Sequence, residues 1–306
     1  MTMIYSNVAE AIGDTPLIHL PQVGQEADIY VKLESRNPGG SIKDRPVKYI
    51  LDSLLESGQL KPGGTIVEAT SGNTGIALAM LGAGLGLRVV ITMPETMSVE
   101  RRQLIQAYGA EIVLTKGSEG MKGAKDKALA LAEEYHAPIL GQFVSPANVK
   151  AHEETTGPEI IAELPDVDGF VAGIGTGGTV TGVGHALKAH NEQVVVWGVE
   201  PESSPLLTKG QAGPHKIQGI GANFIPDILD REVLDEVATV TNEEALDEAA
   251  RIARDYGILA GFSSGANLVA AKRLAKQLGH GKKVVVVFPD TGERYLSSGV
   301  YGNGNN

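Results

Sequence analysis

Thr65-Ile66-Val67-Glu68-Ala69, running into Thr70-Ser71-Gly72-Asn73-Thr74-Gly75, shows the building plan of this chain of 306 residues. The first five residues are largely apolar and β-branched and read as a buried strand. The next six mix hydroxyls, an asparagine and glycines, which suits a tight turn and offers N-caps to a following helix. From Asn73 to Leu85 alanine and leucine dominate, and the segment reads as that helix. The alternation continues outward. Leu87 to Thr92 reads as a strand, Ser98 to Tyr108 as a helix, Glu111 to Leu114 as a strand and Ser118 to Tyr135 as a helix.

The second half repeats the pattern. Gly169 to Gly173, Val194 to Val199 and Lys283 to Phe288 read as strands; Gly178 to His190, Asn242 to Tyr256 and Ser264 to Gln277 read as helices. Short strands alternating with helices predict parallel sheets covered on both faces. The predicted class is therefore α/β, with two domains, each built on a mostly parallel sheet covered by helices, and a cleft between them. Pro201 to Asp230 has little periodicity and reads as a long irregular connection, either functional or a surface wrap. The Gly/Asn-rich tail after Tyr301 reads as a loosely held terminus.

In open α/β sheets, ligands gather where strands end and loops run into helix N-termini. Two glycine-threonine loops occupy such places: Thr70–Gly75, and Gly173-Ile174-Gly175-Thr176-Gly177-Gly178-Thr179. Taken singly, each is a weak signal, because glycine loops also make ordinary turns. The N–H groups and hydroxyls of Thr70, Ser71, Asn73 and Thr74 suit a carboxylate. The glycines of Gly175–Thr179 let the backbone approach a phosphate, and Thr176 and Thr179 add hydroxyl donors. That loop carries no P-loop lysine, so a phosphate monoester fits it better than a nucleoside triphosphate. A lysine, Lys43, follows Asn37-Pro38-Gly39-Gly40-Ser41-Ile42 at an expected helix start, where the helix dipole disfavours its ammonium. An amine that forms an imine, combined with a phosphate loop, points to pyridoxal 5′-phosphate and an amino-acid enzyme. Gly261-Phe262-Ser263-Ser264-Gly265 opens another helix; Ser264 reads as its N-cap, leaving the Ser263 hydroxyl for a ring nitrogen. Arg45, ahead of Pro46, reads as a structural tie from the helix start to the other domain. His152 reads as a packed, hydrogen-bonded histidine, Trp197 as core, and Met93, Met97 and Met121 as core or cleft packing.

Composition narrows the field further. The formal charge of -11 argues against nucleic acid as a partner. With no cysteine there is neither a disulfide nor a thiolate metal site, and the seven histidines lack metal-ligand spacing, so no metal is expected. The absence of a basic leader and of a long apolar run predicts a cytoplasmic protein with no membrane segment.

These motifs together resemble the cysteine synthase (O-acetylserine sulfhydrylase) family, A-type-like, within the fold-type II, tryptophan synthase β-like pyridoxal-phosphate enzymes. The resemblance covers nearly the whole chain. It runs from Ile12-Gly13-Asp14-Thr15-Pro16-Leu17 through Ser41–Arg45, Glu68–Gly75, Met93–Ser98, Gln142-Phe143, Thr155–Ile160, Gly175–Thr179 and Ser263-Ser264-Gly265 to Gly292–Leu296. Lys216-Ile217-Gln218-Gly219-Ile220-Gly221-Ala222 resembles the A-type loop at the mouth of the site.

The resemblance implies that Lys43 binds the cofactor carbonyl and serves as general base. It places Asn73 on the cofactor's 3′-oxygen, Gly175, Thr176, Gly177, Gly178 and Thr179 on its phosphate, and Ser263 at its pyridine nitrogen. It assigns Thr70, Ser71, Asn73, Thr74 and Gln142 to the substrate carboxylate. The implied reaction converts O-acetyl-L-serine and sulfide to L-cysteine and acetate. The alternative is a cystathionine β-synthase-like enzyme taking serine, or O-acetylserine, with homocysteine; a serine or threonine dehydratase is a third reading. Residues 36–146 would form the N-terminal domain, with about 88–133 its mobile part, and 1–35 plus 147–306 the C-terminal domain, the cofactor lying in the cleft. A homodimer is implied, and the C-terminal tail of serine acetyltransferase is a possible partner at the carboxylate loop. Val144-Ser145-Pro146, Phe262 and Asp290 depart from the commoner pattern, and an aspartate like Asp290 occurs in relatives that handle serine and homocysteine.

Overall fold

The strand–loop–helix unit at Thr65 is one of a series. The computed structural model describes residues 4–20 and 27–302; most of the tail expected to be loose lies outside them. In chain order the strands and helices begin with β1 (Leu17–His19), β2 (Ala27–Leu33), α1 (Asp44–Glu56), β3 (Thr65–Ala69), α2 (Asn73–Leu85), β4 (Arg88–Pro94), α3 (Val99–Ala107), β5 (Glu111–Thr115) and α4 (Gly120–Tyr135). They continue with α5 (Pro146–Ala151), α6 (Gly157–Glu163), β6 (Gly169–Gly173), α7 (Gly178–His190), β7 (Val195–Pro201) and α8 (Leu206–Lys209). The last are β8 (Glu236–Val240), α9 (Asn242–Tyr256), α10 (Phe262–Leu278) and β9 (Lys282–Phe288). This is the expected α/β class.

The described residues form two units, residues 4–12 with 37–148, and residues 13–20 and 27–36 with 149–302. The first residues, expected with the second unit, group with the first. There Val8, Ala9 and Ile12 pack against the core beside α2.

The first unit holds a parallel sheet in the order β3-β4-β5. Alternation along the strands sends Ile66, Val89 and Ile91 to one face, against apolar residues of α1, α2 and α3. Val67 and Val90 face the other way, onto Ala128 and Leu131 of α4. The helix α2 is buried continuously from Thr74 to Gly82, which explains its lack of a polar stripe. Met121, expected in packing, is 41% exposed on α4. It lies in the first turn of α4, on the face of Ala124 and Ala128 but N-terminal to the residues that helix buries.

The second unit carries a six-stranded sheet in the order β1-β2-β9-β6-β7-β8, antiparallel at β1–β2 and otherwise parallel. One face packs on α9 and α10 around Val171, Trp197, Val284 and Phe288; α7 packs on β6 and β7. A capping box starts α9: the Thr241 hydroxyl accepts from the Glu244 N–H at 3.1 Å, and the Glu244 carboxylate accepts from the Thr241 N–H at 3.0 Å. A buried ionic knot braces the opening turn of this unit. Lys32, with no exposed surface, donates to the Thr15 carbonyl and meets Glu159 at 2.9 Å, while the Thr15 hydroxyl donates to buried Glu34 at 2.6 Å.

Candidate active site

Lys43 sits at the N-cap of α1, half-buried, its N–H donating to the Ser41 hydroxyl at 3.2 Å. The preceding turn is held by Asp44, whose carboxylate accepts from the Gly39 N–H at 2.5 Å. A Cβ on Gly39 would lie 2.5 Å from that carboxylate, so the turn requires glycine there. Arg45, in the first turn of α1, is buried.

The Thr70–Thr74 loop leaves the carboxyl end of β3. The Thr70 N–H donates to the Thr92 carbonyl at 3.1 Å, tying the loop to β4, and the Thr70 hydroxyl accepts from the Gly72 N–H at 3.4 Å. Gly72 is the N-cap of α2 and supplies no side-chain cap, and the Gly75 N–H donates to its carbonyl at 3.0 Å. Thr74 and Gln142 come together: the Thr74 hydroxyl donates to Gln142 Oε1 at 2.7 Å. Behind them lies Glu68, buried, whose carboxylate accepts from Gln142 Nε2 at 3.4 Å and from the Gly141 N–H at 3.2 Å. Burial raises the Glu68 carboxyl to about 7, against the weaker pull of those hydrogen bonds and of Lys125. Within the Glu68–Gly75 motif Glu68 has no role apparent from sequence; its one signal there is a lone carboxylate in a largely apolar strand.

The Gly175–Thr179 loop leaves the carboxyl end of β6. A Cβ on Gly175 would lie 2.5 Å from the Gly219 carbonyl, and one on Gly173 would lie 2.4 Å from Ile220. The irregular connection therefore packs its Lys216–Ala222 stretch against this loop, with Ile217 and Ile220 buried. Gly177 has φ +83° and caps α7 without a side chain. Thr176 is buried, and its hydroxyl accepts from the Gly178 N–H at 3.4 Å. The Thr179 hydroxyl lies 3.2 Å from His152 Nε2, and His152 Nδ1 lies 2.9 Å from the Thr156 hydroxyl. His152 is thus packed and hydrogen-bonded, at the start of a π-helical turn, His152–Thr156.

Ser263 is buried in the first turn of α10, with Gly219 beside it: a Cβ there would lie 3.5 Å from the Ser263 hydroxyl oxygen. Ser264 is not the N-cap. Gly261 takes that position, so the helix begins earlier than expected and Ser264 falls inside its first turn, fully buried, its hydroxyl without a hydrogen-bond partner. Of the expected site residues, Lys43, Thr70–Thr74 and Gln142 belong to the first unit, and Gly175–Thr179 and Ser263 to the second.

Two strand-end loops that present uncapped helix N-termini and hydroxyls, with a lysine at a third helix start, describe an α/β enzyme that holds anionic groups of a cofactor and a substrate. The pyridoxal-phosphate dependent enzyme family matches residues 8–290, and the chain belongs to that family. It is 51% identical to a cysteine synthase of Staphylococcus aureus over 299 residues, 96% of each chain. Among solved structures it is similar to O-ureido-L-serine synthase, with a TM-score of 0.96 and 43% identity over 99% of this chain and 97% of that one. It is similar also to cysteine synthase from Entamoeba histolytica, with a TM-score of 0.94 and 42% identity over 99% and 93%. The residues present fit the cofactor. The start of α7 without a side-chain cap, the left-handed glycine Gly177 and the two threonines make a donor set for a phosphate monoester, and the first turn of α10 carries the buried Ser263 hydroxyl.

Proposed function

We propose that this protein is a cysteine synthase that replaces the acetate of O-acetyl-L-serine with sulfide to give L-cysteine. The observation that carries the reading is the uncapped Thr70–Thr74 loop, closed by the Thr74–Gln142 hydrogen bond, in a chain 51% identical to a cysteine synthase. When bound, pyridoxal phosphate supplies an electron sink for negative charge at the substrate α-carbon. Gly175–Thr179 hold the phosphate through N–H groups and hydroxyls, Asn73 holds the 3′-oxygen, and the Ser263 hydroxyl meets the ring nitrogen and leaves it neutral. Thr70, Ser71, Asn73, Thr74 and Gln142 hold the substrate carboxylate, which fixes the α-carbon toward Lys43. Lys43 secures the cofactor through Nζ, and that Nζ takes the α-proton. Acetate leaves the β-carbon with the bonding pair, sulfide adds at the same carbon, and Nζ returns the proton to the α-carbon.

A homodimer and a cytoplasmic location belong to the same proposal; among the described residues no helix is long and apolar enough to cross a membrane. A loop that holds an amino-acid carboxylate also suits the carboxylate that ends a peptide, so the tail of serine acetyltransferase is the proposed protein partner. The likeness to O-ureido-L-serine synthase favours a second outcome, the same β-replacement with another nucleophile. The test begins with the spectrum of the purified protein, where a visible band bleached by borohydride is expected. O-acetylserine with sulfide should then yield cysteine faster than serine with homocysteine yields cystathionine. Pyruvate released without an added nucleophile would make the protein a dehydratase instead.

A further inference from the structure

Glu68, Gln142 and Thr74 form a continuous hydrogen-bonded line within the first unit, from the buried strand β3 to the start of α2. We propose that this line is a proton-coupled relay: the protonation of Glu68 sets which way the Gln142 amide faces, and so whether the Thr74 hydroxyl proton is available to a substrate carboxylate. The inference rests on the assignment of Thr70–Thr74 to the carboxylate.

The argument is an accounting of donors. An ionised carboxylate only accepts, whereas an amide has a donor end and an acceptor end. With Glu68 ionised, Gln142 turns its NH2 group to Glu68 and its oxygen to Thr74, the arrangement seen at 3.4 Å and 2.7 Å. The single hydroxyl proton of Thr74 is then committed to Gln142, and toward a carboxylate Thr74 offers only lone pairs. When Glu68 takes up a proton, it donates to the Gln142 oxygen. The amide turns over, its NH2 group donates to a lone pair of Thr74, and the Thr74 proton is free to bind a carboxylate.

Electrostatics push the same way. An ionised Glu68 would share the locality with the substrate's own negative charge, and uptake of one proton from solvent removes that repulsion. Glu68 shares the face of Ile66 and Ile91, which packs on α2, and the field of Lys125 on α4 favours the carboxylate form weakly. The neighbouring strand β4 places Ile91 opposite Glu68, and Leu140, Gly141 and Gln142 offer N–H groups and an amide. Glu68 is accordingly a positioning residue, acting on the substrate through two neighbours.

The test is calorimetry of L-alanine, an amino acid without a leaving group, binding to holoenzyme at pH 8 in buffers of different ionisation enthalpy. Wild type should take up close to one proton more per bound ligand than Glu68→Gln, whose amide imitates the neutral acid. Above pH 7 the ratio of the two affinities should turn against wild type by up to about tenfold per pH unit. Thr74→Val, which keeps the shape and loses the hydroxyl, should bind more weakly and take up less of the extra proton even with Glu68 in place, so the test survives poor folding of the Glu68→Gln variant. Equal proton counts in wild type, Glu68→Gln and Thr74→Val, with weakened binding in Thr74→Val, would overturn the relay alone. Unchanged L-alanine affinity in both Thr70→Ala and Thr74→Val would overturn the carboxylate assignment beneath it.

Discussion

At the scale of single residues, the site combines groups that act directly with groups that act through burial. Lys43→Ala should lower cysteine formation by at least about 10²–10⁴-fold, the usual contribution of a positioned proton-transfer group. Its circular dichroism should match wild type, because the Lys43 side chain forms no cap for α1. Retained activity would remove Lys43 from the mechanism. Glu68 gives a prediction in stability. Its carboxyl rises from 4.5 to about 7 in the folded protein, so between those values the folded state binds the proton more tightly than the unfolded chain. Stability from this group is therefore complete below the unfolded value and falls as pH rises through about 7. Glu68→Gln removes the dependence, and its stability relative to wild type should grow by up to about 3 kcal/mol between pH 4.5 and 8. Denaturant midpoints at the two pH values check this. Glu68 was visible in the sequence only as a charge inside a strand pattern; that it is enclosed and hydrogen-bonded depends on Leu140–Gln142, far along the chain.

At the scale of elements, both glycine loops were legible because strand periodicity and N-cap chemistry are local. Thr176→Ala with Thr179→Ala should weaken retention of the cofactor, since each hydroxyl bond to a charged oxygen contributes roughly 1.5–3 kcal/mol. Dialysis should release it from the double variant far faster than from wild type, with a smaller change in the chemical step; loss of substrate affinity alone would mean that the two loops are assigned the wrong way round. Gly265 shows why the Ser263-Ser264-Gly265 motif ends in glycine. A Cβ there would lie 2.0 Å from the Ala245 carbonyl and 2.7 Å from the Ala249 nitrogen, both backbone atoms of α9. Gly265→Ala should therefore destabilise the protein by about 1–3 kcal/mol or more, read from thermal unfolding, as α9 is pushed from α10. The strands β1, β2 and β8 were not read from the sequence. In β2 the buried Lys32 breaks the apolar pattern, because Thr15 and Glu159 satisfy its charge from elsewhere in the chain. The β8 run Glu236–Val240 emerges from a long irregular connection and carries no turn signal that sets it apart.

At the scale of the whole molecule, a cofactor that binds the folded chain and not the unfolded one adds to stability by mass action, about 4 kcal/mol at a thousandfold excess over its Kd. Stripping pyridoxal phosphate should lower the melting temperature, and adding it back should restore it; an identical melting curve would show that the folded protein does not hold it. The division into two units follows the two runs of alternating strands and helices, except that residues 4–12 join the first unit through the packing of Val8, Ala9 and Ile12 beside α2. Apolar contacts between segments distant in sequence leave no periodic trace. What the sequence determined by itself was the α/β alternation and the glycine-hydroxyl turns, because hydrophobic period, helix capping and left-handed glycines act within a few residues. Tertiary structure alone decided that Gly261 rather than Ser264 starts α10, that His152 meets Thr179, and that Glu68 reaches Thr74 through Gln142, which is 68 residues from Thr74. Those pairings arise when strands and helices close around a core, and a buried polar group then takes the partner that packing has left within reach.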